Sequence, residues 1–212
     1  MMKISTIVFD LGRTLIHFDF NIALMRVAEH SYLNAEEIEA AVYANDMSGP
    51  KERPDIIDRY EIGHISTENF FSELKTMLQF KGTPQDLEAI WCDIFTPLEE
   101  HIQLAKLLAE YYPLCLLSNT SEAHIRFVET KYDFMSIFRK RLYSYELGML
   151  KPDPAIYHRT IEEMEADKFE TLLIDDREEN VVAASKLGWQ TIHLRPEVSL
   201  KAALQSYELT GI

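Results

Sequence analysis

Five short apolar runs, residues 4–10, 114–118, 141–145, 171–175 and 190–194, restrict this chain to few architectures. From the second onward they alternate with helix-like stretches. That alternation predicts parallel strands joined by right-handed helical crossovers, a doubly wound α/β sheet. The intervening helices carry end signals. Residues 121–132 follow Thr120 and set Ile125, Phe127 and Val128 on an apolar stripe. Asp153-Pro154 reads as an N-cap with proline in the first turn, and Gly188 after Leu187 reads as a helix stop.

One gap breaks the alternation. Between Asp19 and about Pro97 only helix patterns occur. Thr83-Pro84-Gln85-Asp86 resembles a capping box, and Leu87, Ile90, Trp91 and Ile94 follow at i, i+3, i+4 and i+7. Phe70, Phe71, Leu74, Met77 and Leu78 form a similar stripe after Thr67. The segment suits a small helical bundle inserted after the first strand, and the stripes read as its core.

Of the 212 residues, 47% are apolar, enough for a sizeable core. No run of about 18 uncharged apolar residues is present, so no membrane-spanning helix is expected, and no secretory leader is legible. Cys92 and Cys115 both sit in apolar patterns and read as buried free thiols of a reducing compartment, which places the protein in the cytoplasm. The formal net charge of −14 repels nucleic-acid phosphates and excludes polynucleotide binding from the expectations. Arg139-Lys140-Arg141 reads as a solvated loop. A phosphate site in so acidic a chain needs local positive charge, a metal ion together with a lysine.

In an open α/β sheet, ligands bind beyond the carboxyl ends of the strands. There the sequence puts Asp10, Ser118-Asn119-Thr120 and Asp175-Asp176, with Asn180 four residues further on and Lys151 in the loop after the third run. Converging aspartates repel one another and raise one another's pKa unless a cation sits among them. Oxygen-only ligands of this kind suit Mg²⁺, bound through one or two carboxylates plus a substrate phosphate. Taken singly, Asp175-Asp176 could cap a helix, Lys151 could be a surface lysine and Ser118-Asn119 a turn. Together they provide a carboxylate nucleophile, a metal site, a hydroxyl and a lysine, which phosphoryl transfer to an enzyme aspartate requires. Lys151 and the Ser118 hydroxyl would neutralise the equatorial phosphate oxygens.

This constellation resembles the haloacid dehalogenase-like hydrolase superfamily over nearly the whole chain. "VFDLGRTL", "LLSNT", "KPDPAIY" and "LLIDDREENVVAASKLGW" look like its four motifs, in order. The resemblance implies a Rossmann-like catalytic core over 1–16 and 98–212 and a helical cap over 17–97. It implies Asp10 as nucleophile and Ser118, Asn119 and Lys151 around the phosphate. It also implies Mg²⁺ held by Asp10, the Gly12 carbonyl, Asp176 and Asp175, with Asn180 and Thr14 in support. "EIGHIS" is similar to the cap's substrate-facing loop and makes Glu61 a substrate contact. The expected activity is a Mg²⁺-dependent phosphatase acting on a small phosphorylated metabolite, sugar phosphates among the candidates.

One position departs from the pattern. Most phosphatases of the family carry an aspartate two residues after the nucleophile as general acid and base; here that residue is Gly12, followed by Arg13. Loss of such a group costs about 10²–10⁴ in rate. "DLG" with "LSNT" resembles the subgroup that includes alpha-D-glucose-1-phosphate phosphatase, where a good leaving group needs less help. Arg13 would then be free to contact phosphate or substrate, and His17, His64 and Glu61 are candidates to supply a proton. Restoring aspartate at 12 is expected to speed poor leaving groups. Two alternatives stand beside this reading: a 2-haloacid dehalogenase, and a non-catalytic ligand-binding or regulatory protein that kept the fold.

Overall fold

The computed structural model describes residues 3–43, 56–207 and 209–211. Its main sheet holds five parallel strands in the order β5-β4-β1-β6-β7: β1 Thr6–Phe9, β4 Leu114–Ser118, β5 Lys140–Tyr143, β6 Thr171–Asp175 and β7 Gln190–His193. Two further strands, β2 Ile16–Phe18 and β3 Phe95–Pro97, form a separate antiparallel ribbon.

The sheet is buried on both faces, which is why its strands read as continuous apolar runs. Ile7 and Phe9 of β1 join Leu116, Leu172 and Ile174 in one apolar layer. Val8, with Cys115, Leu117 and Leu173, turns to the other face and packs on Ile156, Tyr157, Ala184 and Trp189. Ile7, Val8 and Phe9 are fully buried, and each such side chain contributes roughly 1.5–3 kcal/mol. Burial also pushes the thiols of Cys92 and Cys115 up to about 12, and both are free, as their apolar surroundings lead one to expect.

Among the described residues five helices lie between β2 and β3: α1 Phe20–Glu29, α2 Ala35–Tyr43, α3 Ile56–Glu61, α4 Thr67–Met77 and α5 Pro84–Cys92. They share an apolar cluster of their own, centred on Leu24, Val27, Ile38, Phe70, Leu74 and Trp91. Residues 44–55, within the segment expected to be helical, lie outside the described residues. The capping box is present: Asp86 N donates to Thr83 Oγ1 at 3.1 Å and Thr83 N to Asp86 Oδ2 at 2.8 Å. The bundle seats on α7 (Glu122–Lys131), whose Ala123 and Phe127 join its cluster and whose Lys131 pairs with Asp93 at 2.8 Å.

Three local expectations are corrected. The β2–β3 ribbon breaks the all-helical reading of the gap, because three-residue strands carry too little alternation to stand out. Lys140 and Arg141 belong to an edge strand rather than a loop, their heads pairing with Glu163 at 3.1 Å and Glu129 at 2.8 Å. That strand ends at Tyr143, where Ser144–Leu147 makes one helical turn, α8, closed by Gly148 at φ +66°. Among the described residues no helix is long and apolar enough to cross a membrane.

Candidate active site

β1 ends at Phe9, but the Asp10 amide still donates to Ile174 O of β6 at 2.9 Å, so the sheet fixes the Asp10 backbone at its carboxyl edge. The residue is 7% exposed. Lys151 lies in the loop between α8 and α9 (Pro154–Met164) and is 3% exposed. Its Nζ donates to Asp10 Oδ1 and to Asp175 Oδ2, each at 2.6 Å. Two carboxylates thus share one buried ammonium.

This triad leaves negative charge in excess. Burial, reinforced by Asp175 and opposed by Lys151, pushes Asp10 up to about 7. Burial pulls Lys151 down, but Asp10 and Asp175 outweigh it and hold the ammonium above its usual range. Asp176 is raised as well, first by burial and then by Asp175.

The expected residues separate into groups. Asp175 is fully buried at the end of β6, and both of its oxygens are engaged. Oδ1 accepts from Arg177 N at 2.9 Å and Asn180 Nδ2 at 2.9 Å; Oδ2 accepts from Lys151 and, at 3.0 Å, from Asn180 Nδ2. Its oxygens thus already serve neighbouring donors. The Asn119 side chain is tied to the lysine loop. Its Nδ2 donates to Lys151 O at 2.8 Å and its Oδ1 accepts from Lys151 N at 2.8 Å, so it clamps the lysine backbone. Asn180 reaches Asp175 from the first turn of α10 (Glu178–Lys186). Ser118 is buried at the end of β4, its Oγ donating only a long 3.4 Å bond to Asn119 O. Thr14 is fully buried and its carbonyl meets His101 Nδ1 at 2.7 Å.

A cavity of about 80 Å³ opens beside Gly12 and Ser118, bounded by Phe18, Phe20 and Phe95 and, from α3, by Glu61. The loop after α3 approaches the core closely. A Cβ on Gly63 (φ +70°) would fall 2.2 Å from Tyr145 O, so only glycine fits. At Gly12 an added Cβ would lie 2.8 Å from Phe18 Cε1, so a larger residue there requires the aromatic ring to shift. Arg13 is exposed at φ +56°, its guanidinium 5.1 Å from the Phe18 ring centroid. With His17, His101 and Asp176 it lines a wider cleft rather than the cavity at Ser118. His64 is exposed. His124, which the sequence reading passed over, also lines the smaller cavity. A lone histidine on an amphipathic helix gives no sequence signal of such a place.

The donor set fits a hard divalent ion. Among the described residues no three His, Cys, Asp or Glu side chains stand together as a ligand group. Magnesium does not need three; it keeps waters and takes one or two carboxylates. Asp10 and Asp176 can supply these and the Gly12 carbonyl a third oxygen; both carboxyls are raised, first by burial and then by their acidic neighbours.

The chain is similar to known proteins along most of its length. The family model described as haloacid dehalogenase-like hydrolase matches residues 4–188. A D-ribitol-5-phosphate phosphatase of Bacteroides thetaiotaomicron is 25% identical over 199 residues, covering 89% of this chain and 90% of the relative. A sesquiterpene phosphatase of Aspergillus oryzae is 24% identical over 162 residues, 73% of this chain and 79% of the relative. The crystal structure of a HAD family enzyme from Bacteroides thetaiotaomicron, in complex with magnesium and inorganic phosphate, superposes with a TM-score of 0.75 at 26% identity, covering 93% of this chain and 97% of that one. With the matched region taking in most of the chain and every strand but β7, the protein belongs to the haloacid dehalogenase-like hydrolases.

Proposed function

We propose that the protein is a Mg²⁺-dependent phosphomonoesterase acting on a small phosphorylated metabolite through a phosphoaspartate on Asp10. The observation that carries this is the buried Asp10–Lys151–Asp175 triad at the carboxyl edge of the sheet, with Asp176 beside it. The relatives that hydrolyse phosphate esters, and the neighbour that holds magnesium and phosphate, support it. In this reading residues 17–97 form a cap over a core made of 1–16 and 98–212.

Asp10, Asp176 and the Gly12 carbonyl would hold the ion; when bound it supplies positive charge between the nucleophile and the phosphate and polarises the phosphoryl oxygens. An Asp10 carboxylate oxygen attacks phosphorus in line, the bond from phosphorus to the ester oxygen breaks, and the alkoxide leaves with a proton taken from solvent or a neighbouring acid. Lys151 swings part of its charge from Asp10 to the phosphoryl oxygens, and Ser118 donates its weakly held hydroxyl to one of them. Asp175, saturated by Asn180 and Arg177 N, anchors the lysine. Water then attacks the phosphorus of the acyl phosphate, releasing inorganic phosphate and restoring Asp10.

Phosphate release from ribitol 5-phosphate and from an aryl phosphate, with Mg²⁺ and with a chelator, tests this reading. Metal-dependent release that falls at least about 10³-fold in Asp10→Asn is expected. Release indifferent to both chelator and substitution would overturn it, and chelator-insensitive halide release from a 2-haloacid would put the dehalogenase reading in its place.

A further inference from the structure

Asp176, the second acid able to meet a divalent ion, stands just past the end of β6, so the sheet ladder stops one residue short of it. The strand register sets Asp175 opposite His193, the last residue of β7. Two contacts from that neighbouring strand reach the backbone around Asp176. Leu194 N donates to Asp175 O at 2.9 Å, and His193 Nε2 lies 3.0 Å from Asp176 O. A carbonyl only accepts, so Nε2 carries the proton and donates.

These contacts act on the two peptide planes that flank the Asp176 Cα. Each plane is rigid, so together they fix φ and ψ, and with them the direction in which the side chain leaves the backbone. Leu194 N holds the plane before Asp176, and it does so through backbone. The plane after Asp176 is held at its oxygen by the His193 ring and at its N–H by Asp175 Oδ1, which accepts from Arg177 N at 2.9 Å. Of these three contacts, the one from His193 alone depends on a side chain outside the acid pair.

Asp176 needs such support more than its neighbour does. Asp175 takes donors from Lys151, Asn180 and Arg177 N, whereas among the described residues no neighbouring side chain donates to the Asp176 carboxylate. The Asp176 carbonyl also falls between two ladders, since β6 has ended and α10 begins at Glu178. An acid without donors keeps its lone pairs for a cation, but its placement then rests on the backbone.

We propose that His193 is a positioning residue for the divalent ion: by holding the Asp176 carbonyl, its ring sets where the Asp176 carboxylate is offered to the metal. The proposal rests on the reading of Asp10 and Asp176 as the acids that hold the ion. His193 itself is not a ligand in this account. Its Nε2 proton is spent on a carbonyl, and imidazole suits zinc, copper, iron and nickel rather than magnesium. Partners that orient a metal ligand in this way are worth about 10- to 100-fold in metal affinity.

Binding of Mn²⁺, which shares magnesium's preference for oxygen ligands, tests this without substrate or turnover, with the free ion counted by electron paramagnetic resonance. His193→Ala should weaken binding about 10- to 100-fold. Glutamine and asparagine separate reach from bulk. The glutamine amide nitrogen extends about as far as Nε2, so His193→Gln should recover most of the loss. The asparagine nitrogen falls near Nδ1, so His193→Asn should not. Circular dichroism and urea midpoints establish that each variant is folded during the titration; should His193→Ala unfold, the contrast between His193→Asn and His193→Gln decides. Unchanged affinity in His193→Ala and His193→Asn, or equal losses in His193→Asn and His193→Gln, would overturn the proposal. Asp176→Asn checks the reading beneath it. Binding lost there but intact in His193→Ala would remove the positioning role alone, whereas wild-type binding in Asp176→Asn would remove the metal assignment and the proposal with it.

Discussion

Gly12 shows how one residue couples sterics to chemistry. Its missing Cβ leaves room for the Phe18 ring, which would sit 2.8 Å from any side chain added there. Simple restoration of an acid therefore runs into an aromatic wall, and the sequence-based expectation for Gly12→Asp changes. The single substitution should leave hydrolysis of poor leaving groups no faster and lower the unfolding midpoint. Gly12→Asp with Phe18→Ala should speed such substrates relative to Phe18→Ala alone; kcat on an alkyl phosphate decides it. His124 offers a second residue-scale prediction. Its pKa falls from 6.5 to about 4 in the folded protein, so between those values the unfolded chain binds more protons. Stability should therefore fall on acidification through that window, by at most about 1.4 kcal/mol per pH unit, and level off below it. Urea unfolding at stepped pH should show His124→Asn with a flatter profile; an unchanged profile would mean that the ring is not held neutral. The strand-end positions of Asp10 and Ser118 were legible in the sequence, because each closes an unbroken apolar run. The engaged state of Asp175 and the clamp from Asn119 onto Lys151 were not, since both are made by partners brought together only by the fold.

At the scale of elements, the strands announced themselves because parallel β-structure is buried on both faces and needs unbroken apolar runs. The capping box at Thr83 and the stop at Gly188 were equally readable, each being a local solution to unsatisfied helix ends. The β2–β3 ribbon escaped because its pairing, Ile16 with Pro97 and Phe18 with Phe95, joins residues far apart in sequence. That ribbon carries two of the three aromatic walls of the cavity, so the feature hardest to read is one that shapes the site. The end of α3 brings Glu61 to the same place, and Gly63 in the loop that follows permits the close approach to the core. Gly63→Ala combines a strained φ with a backbone collision at Tyr145 O. It should raise KM for the preferred substrate severalfold while leaving the Asp10-dependent turnover of a small aryl phosphate nearly intact. Equal damage to both would indicate that the loop supports the core rather than the substrate.

For the whole molecule, the formal charge of −14 sets the conditions under which the site must work. A dianionic phosphate approaches against that field until the lysine and the bound cation take over at short range. Raising ionic strength from about 0.01 M to about 0.1 M, at saturating Mg²⁺, shortens the screening length from about 30 Å to about 10 Å. It should therefore increase kcat/KM and leave kcat unaffected. A steep fall instead would show that local positive charge steers the substrate. The two apolar layers of the sheet and the separate cluster of the helical insert divide the labour. The first holds Asp10, Lys151 and Asp175 in a fixed triad, and the second packs against Phe18, Phe20 and Phe95, the aromatic walls of the small cavity. Everything turns on Asp10 attacking phosphorus. The stereochemical course at phosphorus, read with a monoester made chiral by oxygen isotopes and sulfur and hydrolysed in isotopically distinct water, tests this most directly. Two successive in-line displacements predict overall retention; inversion would mean that water attacks the ester directly and that Asp10 is never phosphorylated.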